Sequence, residues 1–146
     1  MTKMVDVSDK SVQKRRAVAE GKLRLKPDTV DKIRAGDVKK GDVLTVSQIA
    51  GIQAAKGTSD IIPLCHQIPL SSVDIELKLG RDSVTARTTV ITKNVTGVEM
   101  EALVGTTVAL LNVWDMVKYL EKDKNGQYPV ATILGVKVLE KSKEDL

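Results

Sequence analysis

Residues 97–121, GVEMEALVGTTVALLNVWDMVKYLE, decide the fold. Apolar residues recur in this stretch every three or four positions, and a helix with about 3.6 residues per turn places such positions on one face. The spacing therefore predicts one long helix from Gly97 to Glu121. The stripe predicted to lie on a sheet comprises Val98, Ala102, Ala109, Val113, Met116, Val117 and Leu120.

The opposite side of this helix is apolar in its middle and charged at both ends. Its members are Glu101, Val104, Val108, Leu111, Asp115 and Lys118. An exposed apolar patch usually marks an interface, so a homo-oligomer packed through this helix is predicted. The alternative is that the short helix or the N-terminal arm covers the patch within one chain. Fourteen residues span about 21 Å of helix, so Glu101 and Asp115 could share one ligand only if they came from different subunits.

The segments around the long helix predict a mixed architecture. A strand is expected over 15–25 and a short helix from Pro27 to Gly36. A helix is expected from Asp42 to Lys56, with a buried face of Val43, Val46, Ile49, Ala50, Ile52 and Gln53. SVDIELKLG and SVTARTTVI form a hairpin, and VATILGVKVLE is the last strand. This order predicts an α+β, ferredoxin-like βαββαβ fold with an antiparallel sheet and helices on one face. Residues 1–146 form one domain, with 1–12 as an extended N-terminal arm.

The composition limits the classes of function. The chain has 146 residues, with 23 Lys and Arg against 19 Asp and Glu, a weak bias toward anions. Aromatic residues make up 2% and Phe is absent, so base stacking is not expected. Cys65 and His66 are the only residues of their types, which excludes an internal disulfide and makes a zinc site improbable. Without an apolar leader or a spanning apolar run, the expectation is a cytoplasmic protein that binds neither membrane nor nucleic acid.

Residues 36–41 are a candidate anion-binding segment. GDVKKG, residues 36–41, has the glycine spacing of a P-loop, but Asp42 and Val43 stand where Lys and Ser or Thr are required, so that motif is rejected. Lys39 and Lys40 still precede a helix N-terminus, where they could meet a phosphate or simply form a solvated basic turn.

The charged groups of the long helix have a chemical and a structural interpretation. Asp115 and Lys118 lie one turn apart and could act as general acid and base, or form an ordinary surface ion pair. Glu99 and Glu101 could accept hydrogen bonds from a guanine-like N–H edge, or only favour the helix dipole. His66 could assist catalysis or be a hydrogen-bonded structural histidine, and Cys65 is most simply a buried thiol.

Six motifs, taken in order, resemble the MoaC family. They are MVDVSDK (4–10), KGDVL (40–44), IAGIQAAK (49–56), IIPLCHQIPL (61–70), TGVEMEAL (96–103) and DMVK (115–118). The family comprises the cyclic pyranopterin monophosphate synthases of molybdenum cofactor biosynthesis. The resemblance implies a ferredoxin-like subunit in a homohexamer, built as a trimer of dimers with sites at the dimer interface. It further implies conversion of 3′,8-cyclo-7,8-dihydro-GTP to cyclic pyranopterin monophosphate, with release of pyrophosphate.

The resemblance also implies roles for matching residues. Asp115 would be the catalytic carboxylate beside Lys118, with Lys40 and His66 assisting. Substrate contacts would come from Leu64, Cys65, His66, Glu99, Met100 and Glu101, and further basic groups from Arg15, Lys56 and Lys141. No protein-bound cofactor or metal is implied, although Mg²⁺ could accompany the triphosphate. The chain departs from the family pattern at Gln67, at Val117 and in its KSKEDL tail, which leaves the role of Lys141 open. An RNA-binding domain and a catalytically idle scaffold subunit are the alternative interpretations.

Overall fold

The helices pack on one side of a four-stranded antiparallel sheet in the computed structural model, which describes all 146 residues. The strand order is β2-β3-β1-β4. In chain order the elements are β1 (Gln13–Arg24), α1 (Pro27–Ala35), α2 (Val43–Lys56), α3 (Thr58–Ile61), β2 (Ser72–Leu79), β3 (Ser83–Asn94), α4 (Glu99–Glu121) and β4 (Thr132–Glu144). The predicted α+β, ferredoxin-like arrangement is confirmed.

The long helix α4 lies on the sheet through the predicted stripe. Six of its seven predicted residues are buried, and only Leu120 is half-buried. They pack against inward-facing side chains of β1 and β3, including Ala17, Ala19 and Val90. By length and composition α4 would also suit a membrane span, but half of that window is buried in the fold. We therefore describe α4 as the central core helix.

The face by which α2 packs differs from the prediction. Val46 and Ile49, expected to be buried, are 41% and 51% exposed. The helix instead buries small residues, among them Ser47, Gly51 and Ala55. A Cβ added at Gly51 would lie 2.8 Å from the carbonyl oxygen of Gly105 in α4. The two backbones approach too closely for large side chains at this crossing, so Val46 and Ile49 face outward. Val43, also predicted on the buried face, is in the core, and Ile52 packs against it.

Smaller differences from the prediction lie at the ends of elements. The four-residue helix α3 was not predicted, and β4 continues to Glu144, four residues beyond its expected end. Residues 1–12 contain neither helix nor strand, and a turn occupies residues 8–10. The short helix α1 ends at Gly36, whose φ of 71° is a conformation that glycine adopts without strain.

The second stripe of α4 is only partly exposed. Helix α2 crosses α4 and covers part of it, a cover that the sequence did not indicate. Val104 and Val108 are half-buried, whereas Leu111 is 50% exposed. Glu101, predicted on this outer stripe, is instead 3% exposed because its turn of the helix packs under the loop that follows α3.

Candidate active site

Lys40, Asp115 and Lys118 form a charged cluster near the C-terminal end of α4, called here the lysine–aspartate cluster. The ammonium of Lys40 donates to Asp115 Oδ2 at 2.9 Å and approaches the Asp115 carbonyl oxygen at 3.3 Å. The ammonium of Lys118, one turn further along the helix, lies 3.4 Å from Asp115 Oδ1. Each carboxylate oxygen therefore faces its own cation. All three side chains are about half exposed, so a solvent-borne ligand can reach them.

The two lysines change the acidity of Asp115. The hydrogen bond from Lys40 is the main cause that lowers the pKa of Asp115 below its usual value, and Lys118 acts in the same direction. Asp115 is therefore fully ionised at neutral pH. A carboxylate of lowered pKa is a weak proton acceptor, and this favours an electrostatic and orienting part for Asp115 in any reaction here.

A second group of predicted residues meets at the other end of α4. A cavity of about 330 Å³, called here the glutamate cavity, lies between the loop after α3 and the first turn of α4. Its lining includes Leu64, Cys65, His66, Glu99, Met100 and Glu101. All six predicted substrate-contacting residues from the LCH and VEME segments thus line one cavity. Their juxtaposition depends on the chain path from α3 to β2.

Glu101 is the most unusual group of the glutamate cavity. Its side chain is 3% exposed, and its Oε1 atom has no hydrogen-bond partner. Burial raises the pKa of Glu101, and the neighbouring charge of Glu99 raises it further, outweighing the opposite effect of a backbone N–H. An unpaired buried carboxyl oxygen is costly. The cavity therefore holds an acceptor that a ligand donor could satisfy.

His66 and Cys65 are held differently in the same cavity. The His66 Nε2 atom lies 2.5 Å from the carbonyl oxygen of Val5, so Nε2 carries the proton and the N-terminal arm contacts the cavity. Burial, and next the charge of Glu101, raise the pKa of the Cys65 thiol. Cys65 is half-buried rather than buried as expected, and a thiol in this environment stays protonated.

The structure places the three remaining predicted cations in different surroundings. Lys141 on β4 is 3.6 Å from Glu99 Oε2. Arg15 is 8% exposed and donates to the carbonyl oxygen of Asn94 and to the side chain of Gln13. Lys56 lines a neighbouring cavity of about 600 Å³, which shares Ile68 with the first. No group of three or more His, Cys, Asp or Glu side chains could hold a metal ion.

Two residues that contact the site were not predicted. The hydroxyl of Tyr119 accepts a hydrogen bond from the backbone N–H of Lys39, beside the lysine–aspartate cluster. The available signal was its position four residues after Asp115, on the same helix face. Val5 contacts His66 through its carbonyl oxygen, and no sequence pattern could reveal that contact because the two residues are 61 positions apart.

The lysine–aspartate cluster and the glutamate cavity lie at opposite ends of the same helix, α4. Their carboxylates, Asp115 and Glu101, are fourteen residues apart, which is about 21 Å along the axis. Cations and an ion-paired carboxylate at one end can bind and neutralise an anion. Acceptors in the half-enclosed cavity at the other end can bind N–H groups. The two sites of this ferredoxin-like chain therefore suit an anion at one end of α4 and N–H donors at the other.

Comparison with known proteins identifies the family. The model of the MoaC family matches residues 4–144. A relative from Thermococcus onnurineus is 53% identical over 98% of this chain and 92% of its own length, and one from Thermococcus kodakarensis is 55% identical over 97% and 90%. Both are named probable cyclic pyranopterin monophosphate synthase. A relative from Methanothermobacter thermautotrophicus, 51% identical over 99% and 91%, is named a probable accessory protein of that synthase. The chain belongs to the MoaC family.

Proposed function

We propose that this chain is a cyclic pyranopterin monophosphate synthase of molybdenum cofactor biosynthesis. In this reaction 3′,8-cyclo-7,8-dihydro-GTP is converted to cyclic pyranopterin monophosphate, and pyrophosphate is released. The observation that carries the proposal is the lysine–aspartate cluster, in a chain whose close relatives bear the synthase name. The proposed compartment is the cytoplasm.

The charges of the substrate explain why several cations are needed. A nucleoside triphosphate carries several negative charges, and pyrophosphate gains charge as it departs. Lys40 and Lys118 would neutralise that charge, with Arg15, Lys56 and Lys141 as further cations around the triphosphate. Any Mg²⁺ would arrive on the triphosphate as part of the substrate.

The lowered pKa of Asp115 indicates which members of the lysine–aspartate cluster would transfer protons. Asp115 would stay a carboxylate and hold the two ammonium groups in place, one on each oxygen. Lys118 and Lys40 are then the groups that can donate a proton as the purine-derived ring opens and recloses. His66, with its Nε2 proton directed at the carbonyl oxygen of Val5, would assist from the glutamate cavity.

The glutamate cavity is the proposed site of the ring. The unpaired Oε1 of Glu101 and the carboxylate of Glu99 would accept hydrogen bonds from the guanine-derived N–H edge. Leu64, Met100 and Cys65 supply an apolar wall. A bound N–H donor would relieve the cost of the buried, unpaired oxygen, which would make the interaction selective for rings that carry such donors.

The distance between the lysine–aspartate cluster and the glutamate cavity implies a site shared by two subunits. One ligand cannot reach both ends of the same α4, so the glutamate cavity of one copy would face the lysine–aspartate cluster of another. Exposed Val46, Ile49 and Leu111 form an apolar surface on α2 and α4 through which the copies could pack. The proposed assembly is a homohexamer of three such dimers.

Incubation with the cyclised GTP intermediate tests the reaction. The expected result is formation of pyrophosphate and cyclic pyranopterin monophosphate in equal amounts, with loss of both in Asp115→Asn protein. A folded oligomer that forms neither product would contradict the proposal.

Mixing two impaired variants tests the shared site. Glu101→Gln and Asp115→Asn proteins, unfolded and refolded together, should recover roughly a quarter of wild-type turnover, because half of the dimers are mixed and each has one intact site. Each variant refolded alone is the control. No recovery from mixed oligomers would show that both groups act within one chain.

The name of the Methanothermobacter relative favours one alternative, a non-catalytic accessory subunit. Unchanged turnover in Asp115→Ala and Lys118→Ala proteins with intact assembly would support it. The RNA-binding alternative is not favoured, because the open face of β2 and β3 carries Lys78, Thr85 and Arg87 rather than aromatic residues, and Leu77 packs toward the core.

A further inference from the structure

The loop between α1 and α2, residues 36–42, carries Lys40 and is fixed at both ends. Gly36 ends α1 with a φ of 71°, and its N–H bonds to the last carbonyls of that helix. Asp42 begins α2, where its carboxylate accepts from both the backbone N–H and the hydroxyl of Thr45. Between these caps, Gly41 has a φ of 112°, a region that favours glycine.

The middle of this loop is held by two successive turns of α4. Asp115 accepts from the ammonium of Lys40. Four residues later on the same face, the Tyr119 hydroxyl accepts from the backbone N–H of Lys39 at 2.9 Å. The ammonium of Lys39 also lies 5.1 Å from the centre of the Tyr119 ring. Adjacent loop residues are thus bound by adjacent turns of one helix.

The ion pair of Lys40 with Asp115 needs this second contact. An ion pair between half-exposed side chains contributes little by itself, and ordering a lysine side chain has an entropic cost of comparable size. A hydrogen bond to the neighbouring peptide fixes the loop backbone, so that only the Lys40 side chain remains to be ordered. Tyr119 is half-buried against the main core and is itself well fixed.

We propose that Tyr119 is a positioning residue of the active site: its hydroxyl, through the Lys39 N–H, holds the loop so that the Lys40 ammonium stays on Asp115. This inference rests on the proposed function only for its effect on turnover. The charged groups known to face Asp115 are Lys40 from the loop and Lys118 from its own helix.

The test compares two hydroxyl deletions. Tyr119→Phe removes the acceptor and retains the ring. Tyr128→Phe makes the same change at the other tyrosine, whose ring packs edge-on against Trp114 at 5.5 Å. Tyr119→Phe should lower kcat about fivefold to tenfold with little change in KM or Tm, the loss expected for one hydrogen bond. Tyr128→Phe should leave kcat, KM and Tm at wild-type values.

A double-mutant cycle with Lys40→Met separates positioning from general stabilisation. If Tyr119 acts through Lys40, adding Tyr119→Phe to Lys40→Met protein has no further effect. If the losses in kcat caused by Tyr119→Phe and by Lys40→Met multiply in the double variant, the inference is overturned.

A carboxyl NMR titration of Asp115 gives a readout independent of the reaction. The pKa of Asp115 should rise in Tyr119→Phe, toward its value in Lys40→Met, and stay unchanged in Tyr128→Phe. An unchanged titration in Tyr119→Phe would overturn the inference. A raised pKa in a protein without synthase activity would leave Tyr119 as a positioning residue and contradict only the proposed function.

Discussion

The two ends of α4 hold carboxylates in opposite environments. Asp115, near the C-terminal end, is half exposed, bears a cation on each oxygen and has a lowered pKa. Glu101, in the first turn, is buried, has one oxygen without a partner and has a raised pKa. The positive end of the helix dipole would favour an ionised Glu101, so burial outweighs the dipole there. Solvent exposure and partners, not position along the helix, decide the charge state of each group.

This difference indicates two kinds of function. The Asp115 end is already satisfied electrostatically and is arranged to organise cations. The Glu101 end has an unpaired buried oxygen, and we expect a bound donor to satisfy it.

Asp115→Asn should lower kcat/KM about 1,000-fold, because it removes the charge that holds Lys40 and Lys118 in place. Its effect on the free energy of unfolding should stay below about 1 kcal/mol, since exposed ion pairs contribute little to stability. Turnover assays and urea unfolding measure the two quantities. Asp31→Asn, which breaks the exposed pair with Arg34, is the matched control and should leave turnover intact. Equal losses in both variants would contradict a special role for Asp115.

Glu121→Ala should destabilise the fold by about 2–4 kcal/mol without a specific effect on KM. Glu121 is a third α4 carboxylate, 1% exposed, which accepts from the Lys26 backbone N–H at 3.1 Å and from the Thr29 hydroxyl. Its removal leaves both donors at the start of α1 unpaired. Urea unfolding measures the change, and a loss below about 0.5 kcal/mol would contradict it. The buried Glu121 carboxylate thus stabilises the fold through its hydrogen-bond partners, whereas the buried Glu101 carboxyl has an oxygen without a partner.

Glu101→Gln should lower turnover about 10- to 100-fold and raise Tm at neutral pH. Because the folded-state pKa of Glu101 lies above its ordinary value, the folded state binds more protons between the two values. Glu101 therefore makes wild-type stability fall as pH rises through that interval. The stability difference between variant and wild type should be small below pH 4 and should grow above it.

Thermal unfolding of both proteins between pH 4 and 8 checks this dependence. Glu99→Gln, on the exposed rim of the same cavity, is the control and should show a much weaker trend. A variant that is less stable than wild type at pH 7 would mean that the Glu101 carboxylate has a partner in the assembled protein.

Cys65→Ser should change turnover by less than about threefold. The raised pKa of the Cys65 thiol keeps it protonated, so it is a wall of the glutamate cavity and not a nucleophile. Steady-state kinetics at pH 7.5 measure the effect. A loss comparable to that of Asp115→Asn would make Cys65 part of the chemistry.

Helices and strands with a strong periodic pattern could be predicted. The packing face of a helix whose backbone approaches another helix closely could not. The stripe of α4 indicated its correct buried face, and β1, β2 and β3 lie in the segments where strands were expected. The pattern in α2 was correct for Val43 and wrong for Val46 and Ile49. Its apolar residues Val46 and Ile49 are large, but Gly51 and Gly105 bring the two backbones together. Hydrophobicity alone does not reveal a contact that small residues make.

The site was predictable as a set of residues but not as a geometry. DMVK places Asp115 and Lys118 one turn apart on any helix. The contact of Asp115 with Lys40, 75 residues earlier, depends on the loop after α1 and on Tyr119. The burial of Glu101 likewise depends on the loop after α3, which has no periodic pattern.

Local periodicity was sufficient to predict the long helix, the order of the strands and of every helix except α3, and the separation of charged groups at the two ends of α4. These properties follow from the rise and twist of regular backbone, which neighbouring residues decide. The tertiary structure alone decided which carboxylate is paired and which is buried. Pairing and burial depend on groups brought together from distant positions, and their effects on the pKa values of Asp115 and Glu101 have opposite signs.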